Sequence, residues 1–127
     1  MGPYPSLFDE CRVVRARGEL DLTTTPGLVR DLEDVLRGSG HPFLIVDLSG
    51  VTFMDSSVLD PLCAAWDECR RRRGWARVVY VRPCVGLLFR AGAVTERFPR
   101  YASVQDAWRG LLADGREQWD TAADQPA

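Results

Sequence analysis

Two adjacent serines, Ser56 and Ser57, follow a carboxylate at Asp55 within the stretch FMDSSVLDP. They stand where an apolar, strand-like run gives way to a helical pattern. A hydroxyl at such a junction can cap the helix, accept a phosphate or act as a nucleophile. As a cap, its oxygen accepts hydrogen bonds from the orphan backbone N–H groups of the first turn. The same N–H groups and the positive helix end suit a phosphate, so a serine there is fit for phosphorylation. Nucleophilic catalysis needs more than the sequence offers, because the flanking glycines of a GxSxG elbow are absent. The sole histidine, His41, opens the very strand that leads to the serines. About ten residues of extended chain at ~3.3 Å each put it ~30 Å from them, which excludes a Ser–His pair within one subunit. Capping and phosphate acceptance remain, and they are compatible if one serine caps while its neighbour accepts.

Other chemistry-bearing residues are sparse. Cys11, Cys63, Cys69 and Cys84 are scattered without a CxxC pair, so with a single histidine they offer no zinc set. They read as incidental or buried thiols of a reducing compartment. The GSG at 38–40 is too short for a P-loop, no GK[ST] exists, and no GxGxxG follows a strand. No metal and no cofactor is expected. The arginine run at 70–73 reads as a solvated helix C-terminus, where cations favour the macrodipole. With a net charge of −2 the chain carries no global field toward nucleic acid or an anionic membrane.

The elements that must hold the serines follow from periodicity. CRVVRAR at 11–17 alternates like a partly exposed strand. Leu28, Leu32, Val35 and Leu36 recur along one helix face, with Pro26 in its first turn and Gly38 and Gly40 as its stop. PFLIVDLSG is a compact apolar run expected as a central strand buried on both faces. After the serines, Leu59, Leu62, Cys63 and Trp66 mark a second helix, ending at the arginines and Gly74. WARVVYVR is a third strand, and PCVGLLFRAG a short helix with Val85, Leu88 and Phe89 inward. RFPRYAS suits a short edge strand, where Pro99 is tolerated. Val104, Ala107, Trp108, Leu111 and Leu112 form the stripe of a last helix.

Strands alternating with helices over short connections predict an α/β layer. The 127 residues fit one domain with a single core. That domain is expected over 10–113, with 1–9 an N-terminal segment able to add a short edge strand and 114–127 a flexible tail. The longest apolar run, 43–46, is far short of a membrane span, and the N-terminus lacks the regions of a signal peptide. A cytoplasmic protein is expected.

Four stretches, taken in order, resemble the STAS domain, and most closely its bacterial anti-sigma-factor antagonist branch. They are GELD at 18–21, LIVDLSGVTFMDSS at 44–57, WARVVYVR at 75–82 and LLFRAGAVTERFPRYASVQDAW at 87–108. DLSGVTFMDSS is the most specific piece. The resemblance implies a STAS-like α/β domain, an open mixed sheet of about four or five strands with about four helices. It implies a non-enzymatic antagonist that binds an anti-sigma factor, itself a serine kinase, and so frees a sigma factor for transcription. The kinase then phosphorylates the antagonist and breaks the complex, and a serine phosphatase resets it. Neither nucleic acid nor membrane is implied as a partner, and monomer and homodimer both stay open.

By the same resemblance the phosphoacceptor falls on Ser56, with Ser57 as the neighbouring cap and a weaker candidate acceptor. Asp21 matches an acidic position near the partner surface, which is expected to include Asp55, Ser56, Ser57, Val58 and Asp60. The sequence departs from the pattern directly after the serines. Val58 replaces the usual glycine, Asp60 a usual small residue, and Pro61 is expected near the fourth or fifth helical position. Such a proline either loses a hydrogen bond or shifts the helix start. A bulkier, more acidic rim also favours an alternative role, a STAS scaffold in a multi-protein complex that is never phosphorylated.

Overall fold

A computed structural model describes residues 11–113. Strand β1 (Cys11–Leu20) leads into helix α1 (Thr25–Arg37), and β2 (Phe43–Met54) is the longest strand. A 3-10 turn, Ser56–Val58, joins β2 to α2 (Leu59–Arg71). Then follow β3 (Trp75–Val79), α3 (Pro83–Ala91), β4 (Arg100–Tyr101) and α4 (Val104–Arg109). The four strands lie in the order β1-β2-β3-β4 and every pair is parallel. The mixed character expected of the sheet therefore has no representative among the described residues. The segment 1–9, expected to add an edge strand, and the expected flexible tail, 114–127, lie outside them.

Parallel strands need covered faces, and crossovers of one hand place successive helices on one side. Leu28, Leu32 and Leu36 of α1, Leu62 and Ala65 of α2, and Val85 and Phe89 of α3 meet Leu44, Val46 and Leu48 in one core. A second, smaller core on the opposite side joins Cys11, Ile45, Val79 and Tyr101 to Ala107 of α4. The central strand is thus buried on both faces, as its unbroken apolar run requires. Phe43, Trp75 and Trp108 cluster beside that smaller core, and Arg77 ties α4 to it. The Arg77 guanidinium lies 3.9 Å over the Trp75 ring while donating to the Ala107 carbonyl at 2.7 Å.

Three helices end alike. Residues Arg73, Ala93 and Gly110 adopt left-handed conformations, with φ of 66°, 59° and 74°. The next residue's N–H then donates back: Gly74 to Cys69, Val94 to Phe89 and Leu111 to Asp106. This closure satisfies orphan carbonyls at a helix end. It also corrects the last helix. Gly110 ends α4 in the left-handed region it alone enters cheaply, so Leu111 and Leu112 lie past the end and are exposed. At the foot of β3 a second glycine is required for space. A Cβ on Gly74 would lie 1.8 Å from the Pro42 carbonyl oxygen, which accepts from the Trp75 N–H.

Candidate functional site

The junction between β2 and α2 sits at the carboxyl edge of the sheet, beside the junction between β1 and α1. The Asp55 N–H donates to the Leu20 carbonyl at 3.0 Å, which holds the two junctions together. Asp55 is in extended conformation, and its carboxylate accepts from the Ser57 N–H at 2.9 Å. Asp55 is therefore the cap, correcting the assignment of that role to Ser57. The physical reason is charge: a carboxylate outcompetes a hydroxyl for an N–H at the positive end of a helix. Ser57 instead donates its own hydroxyl to the same Asp55 oxygen at 2.5 Å and meets the Thr25 hydroxyl at 3.0 Å.

Ser56 is in a different situation. Its side chain is exposed, and its hydroxyl has no hydrogen bond to another described residue. It is the first residue of the 3-10 turn that feeds the thirteen-residue α2. Asp60, exposed in the first turn of α2, complements the macrodipole and adds a negative charge nearby.

Two sequence expectations change here. Val58, expected on the partner surface, has ordinary right-handed helical geometry and is fully buried in the main core. It fills the junction from beneath and does not make the rim bulkier. Pro61 is the third residue of α2, because the α-helix proper begins at Leu59. The helix start has shifted so that the missing N–H falls among first-turn amides that lack helical partners anyway.

Asp21 belongs to the neighbouring turn, and its carboxylate is committed locally. It accepts from the Thr23 hydroxyl at 2.6 Å, the Thr23 N–H at 2.9 Å and the Thr24 N–H at 3.2 Å. The Thr23 hydroxyl bond foremost holds its pKa below the ordinary carboxylate value. Its role is thus to fix the start of α1 beside the serines. Two large apolar side chains at this edge, Leu22 and Phe53, are exposed by 77% and 51%. Phe53 escapes the core because β2 carries an extra residue where Gly18 pairs Val51 but Glu19 pairs Phe53. Sequence reasoning missed Leu22, Phe53 and Thr25. An apolar residue between Asp21 and the threonine run was a signal for Leu22; the bulge left none for Phe53.

His41 lies before the first residue of β2, at the opposite sheet edge from the serines, where its Nδ1 meets the Arg72 carbonyl at 3.1 Å. Ser–His chemistry is thus absent from the junction. Among the described residues no group of His, Cys, Asp or Glu could hold a metal ion. No helix there is long and apolar enough to cross a membrane. A groove between α1 and α2 is lined by Val29, Leu32, Leu36, Pro61 and Ala64, with Glu33 as its one charged group. It lacks the convergent polar groups of a small-ligand site.

The sequence model of the STAS domain matches residues 7–107, most of the chain and all of both junctions. The chain belongs to the STAS domain family. Solved structures with this STAS fold include an anti-sigma factor antagonist from Mycobacterium paratuberculosis. It is 29% identical with a TM-score of 0.71, and the match covers 81% of this chain and 86% of that one. An anti-sigma-factor antagonist (STAS) domain protein from Planctomyces limnophilus is 20% identical at a TM-score of 0.70, covering 80% and 90%. The Bacillus cell fate determinant SpoIIAA in its phosphorylated form is 18% identical at 0.58, covering 78% and 88%.

Proposed function

We propose that this STAS protein is an anti-sigma-factor antagonist that binds a serine-kinase anti-sigma factor and is switched off by phosphorylation at Ser56. The observation that carries the reading is the contrast between the two serines. Ser57 is held by Asp55 and Thr25, whereas the Ser56 hydroxyl is exposed and uncommitted at a helix start. The solved relative at 29% identity is named as an antagonist of the same kind, which supports the choice of partner. Leu22 and Phe53 supply the exposed apolar anchors that a docking face needs beside the switch. Asp55 and Asp60 give the face a negative rim.

The electrostatics give the switch its direction. Phosphorylation adds about −1.5 to −2 charges and removes the hydroxyl donor. The helix start tolerates that charge within the free protein, while a partner surface fitted to the unmodified hydroxyl loses its donor and would have to strip water from a bulky dianion. A penalty of a few kcal/mol weakens binding by ~10- to 100-fold, since ~1.4 kcal/mol is a decade. A serine phosphatase would restore the bound form.

The test combines the full chain with the anti-sigma kinase captured from the native cell and with ATP, then maps phosphate by mass spectrometry. One phosphate on Ser56 and release of the complex is the expected result. No phosphate on the chain, with Ser56→Ala and Ser56→Asp binding like the wild type, would leave the unphosphorylated scaffold instead.

A further inference from the structure

The junction contains two adjacent hydroxyls, and a kinase that reaches one comes within a residue of the other. We propose that Thr25, acting with Asp55, selects the acceptor by withdrawing Ser57 from phosphotransfer. This inference rests on the phospho-switch reading above and specifies how that site is regulated.

A serine hydroxyl has one proton and two lone pairs. The Ser57 proton is donated to Asp55 Oδ1, which also accepts the Ser57 N–H. The Thr25 and Ser57 hydroxyl oxygens are 3.0 Å apart, and with the Ser57 proton already directed to Asp55, Thr25 must be the donor. Its hydrogen then occupies one of the two Ser57 lone pairs. Thr25 itself is 6% exposed, so its hydroxyl has been taken out of water to make this bond.

Phosphotransfer places a hydroxyl oxygen in line with the γ-phosphorus of ATP. The Oγ–P bond forms as the bond from phosphorus to the β,γ-bridging oxygen breaks, ADP leaves, and the hydroxyl proton passes to a base of the kinase. To present its oxygen outward, Ser57 would have to break both side-chain bonds. That rotation would leave a buried Thr25 hydroxyl without its partner, a penalty on top of the lost bonds. Ser56 faces neither cost. The carboxylate beside Ser57 resembles a base poised for activation, but the Thr25 bond points the oxygen inward, toward the start of α1. Thr25 is accordingly a positioning residue, 32 residues away in sequence from the serine it controls.

Full-length Ser56→Ala, Ser56→Ala/Thr25→Val and Ser56→Ala/Thr25→Ser are compared with wild type, using the captured anti-sigma kinase and γ-labelled ATP. Phosphopeptides are mapped and melting curves verify folding. Wild type is expected to be labelled at Ser56 alone and Ser56→Ala to stay nearly unlabelled. Thr25→Val in that background should raise Ser57 labelling ~5- to 10-fold, the factor that one ordinary hydrogen bond represents. Thr25→Ser keeps the hydroxyl and should return labelling to the Ser56→Ala level, which loss of packing alone would not do. If Thr25→Val does not fold, Thr25→Ala takes its place. Rapid Ser57 labelling in Ser56→Ala, or no gain in the Thr25→Val background, overturns the inference while Ser56 labelling of wild type leaves the switch standing. An unlabelled wild type overturns the switch reading, and the selection inference falls with it.

Discussion

Asp55 binds the two junctions at the level of single atoms. Its N–H donates to Leu20, and its carboxylate takes both the N–H and the hydroxyl of Ser57. Removing it strips a helix cap and leaves the Ser57 and Thr25 hydroxyls to rearrange. Asp55→Ala should lower the unfolding free energy by ~1 kcal/mol, within the ~0.5–2 kcal/mol range of lost caps, read from urea denaturation midpoints. An unchanged midpoint would mean that Ser56 or Ser57 takes over the cap. The identity of the cap was only half legible in the sequence. DSS at a strand-to-helix junction announces a capped start, but three adjacent oxygens compete for it. The carboxylate wins by its charge, and Thr25, reaching across from α1, then fixes which way the Ser57 hydroxyl turns, a contact between residues far apart in the chain. Val58 was misread for a related reason: its neighbours 56 and 60 are exposed, and only the 3-10 turn sends its side chain inward.

Among the elements, the order of strands and helices was legible because apolar spacing changes cleanly from alternation to helical repeat. Lengths were less so. β1 and β2 run on through Leu20 and Met54, as register shifts near Gly18 and Gly50 let the pairing continue past irregular residues. β4 is two residues long and α4 stops at Arg109, where tertiary contacts and Gly110 override the stripe that suggested more. Close approach is likewise invisible to periodicity. Gly74 reads as an ordinary stop signal, yet it admits the Pro42 backbone at the entry to β3. Gly74→Ala should therefore destabilise by at least ~1–3 kcal/mol, the usual effect of forcing atoms into packed space, measured by thermal unfolding. Gly38→Ala, where a Cβ meets nothing within 4 Å, serves as the control and should change stability far less. Equal effects at the two glycines would argue against the tight approach.

For the molecule as a whole, two buried thiols set an alkaline limit on stability. Burial pushes Cys11 and Cys69 from the ordinary 9.0 up to about 11. Their neutral forms favour the folded state, so this stabilisation is complete below pH 9.0 and disappears as the pH climbs through about 11. Unfolding midpoints should accordingly fall between about pH 9 and pH 11, and Cys→Ser at either position should flatten the fall. At the acid end the sign reverses. Asp21 and Glu68 are held below ordinary carboxylate values by their hydrogen-bond partners, so what they contribute is present at neutral pH and lost as the pH drops below about 4. The family was legible because DLSGVTFMDSS, the most specific stretch of the resemblance, is also the segment that threads the centre of the sheet. The cognate partner was not, because nothing in the spacing of the exposed Leu22, Phe53 and Asp60 names what would cover them.

The central claim, a face switched by phosphate on Ser56, is tested most directly by titrating the captured anti-sigma factor with the unmodified and the kinase-phosphorylated full chain. The phosphorylated chain should bind ~10- to 100-fold more weakly, and phosphatase treatment should restore the original affinity. Equal affinity of the two forms, at full occupancy of Ser56 by phosphate, would contradict it.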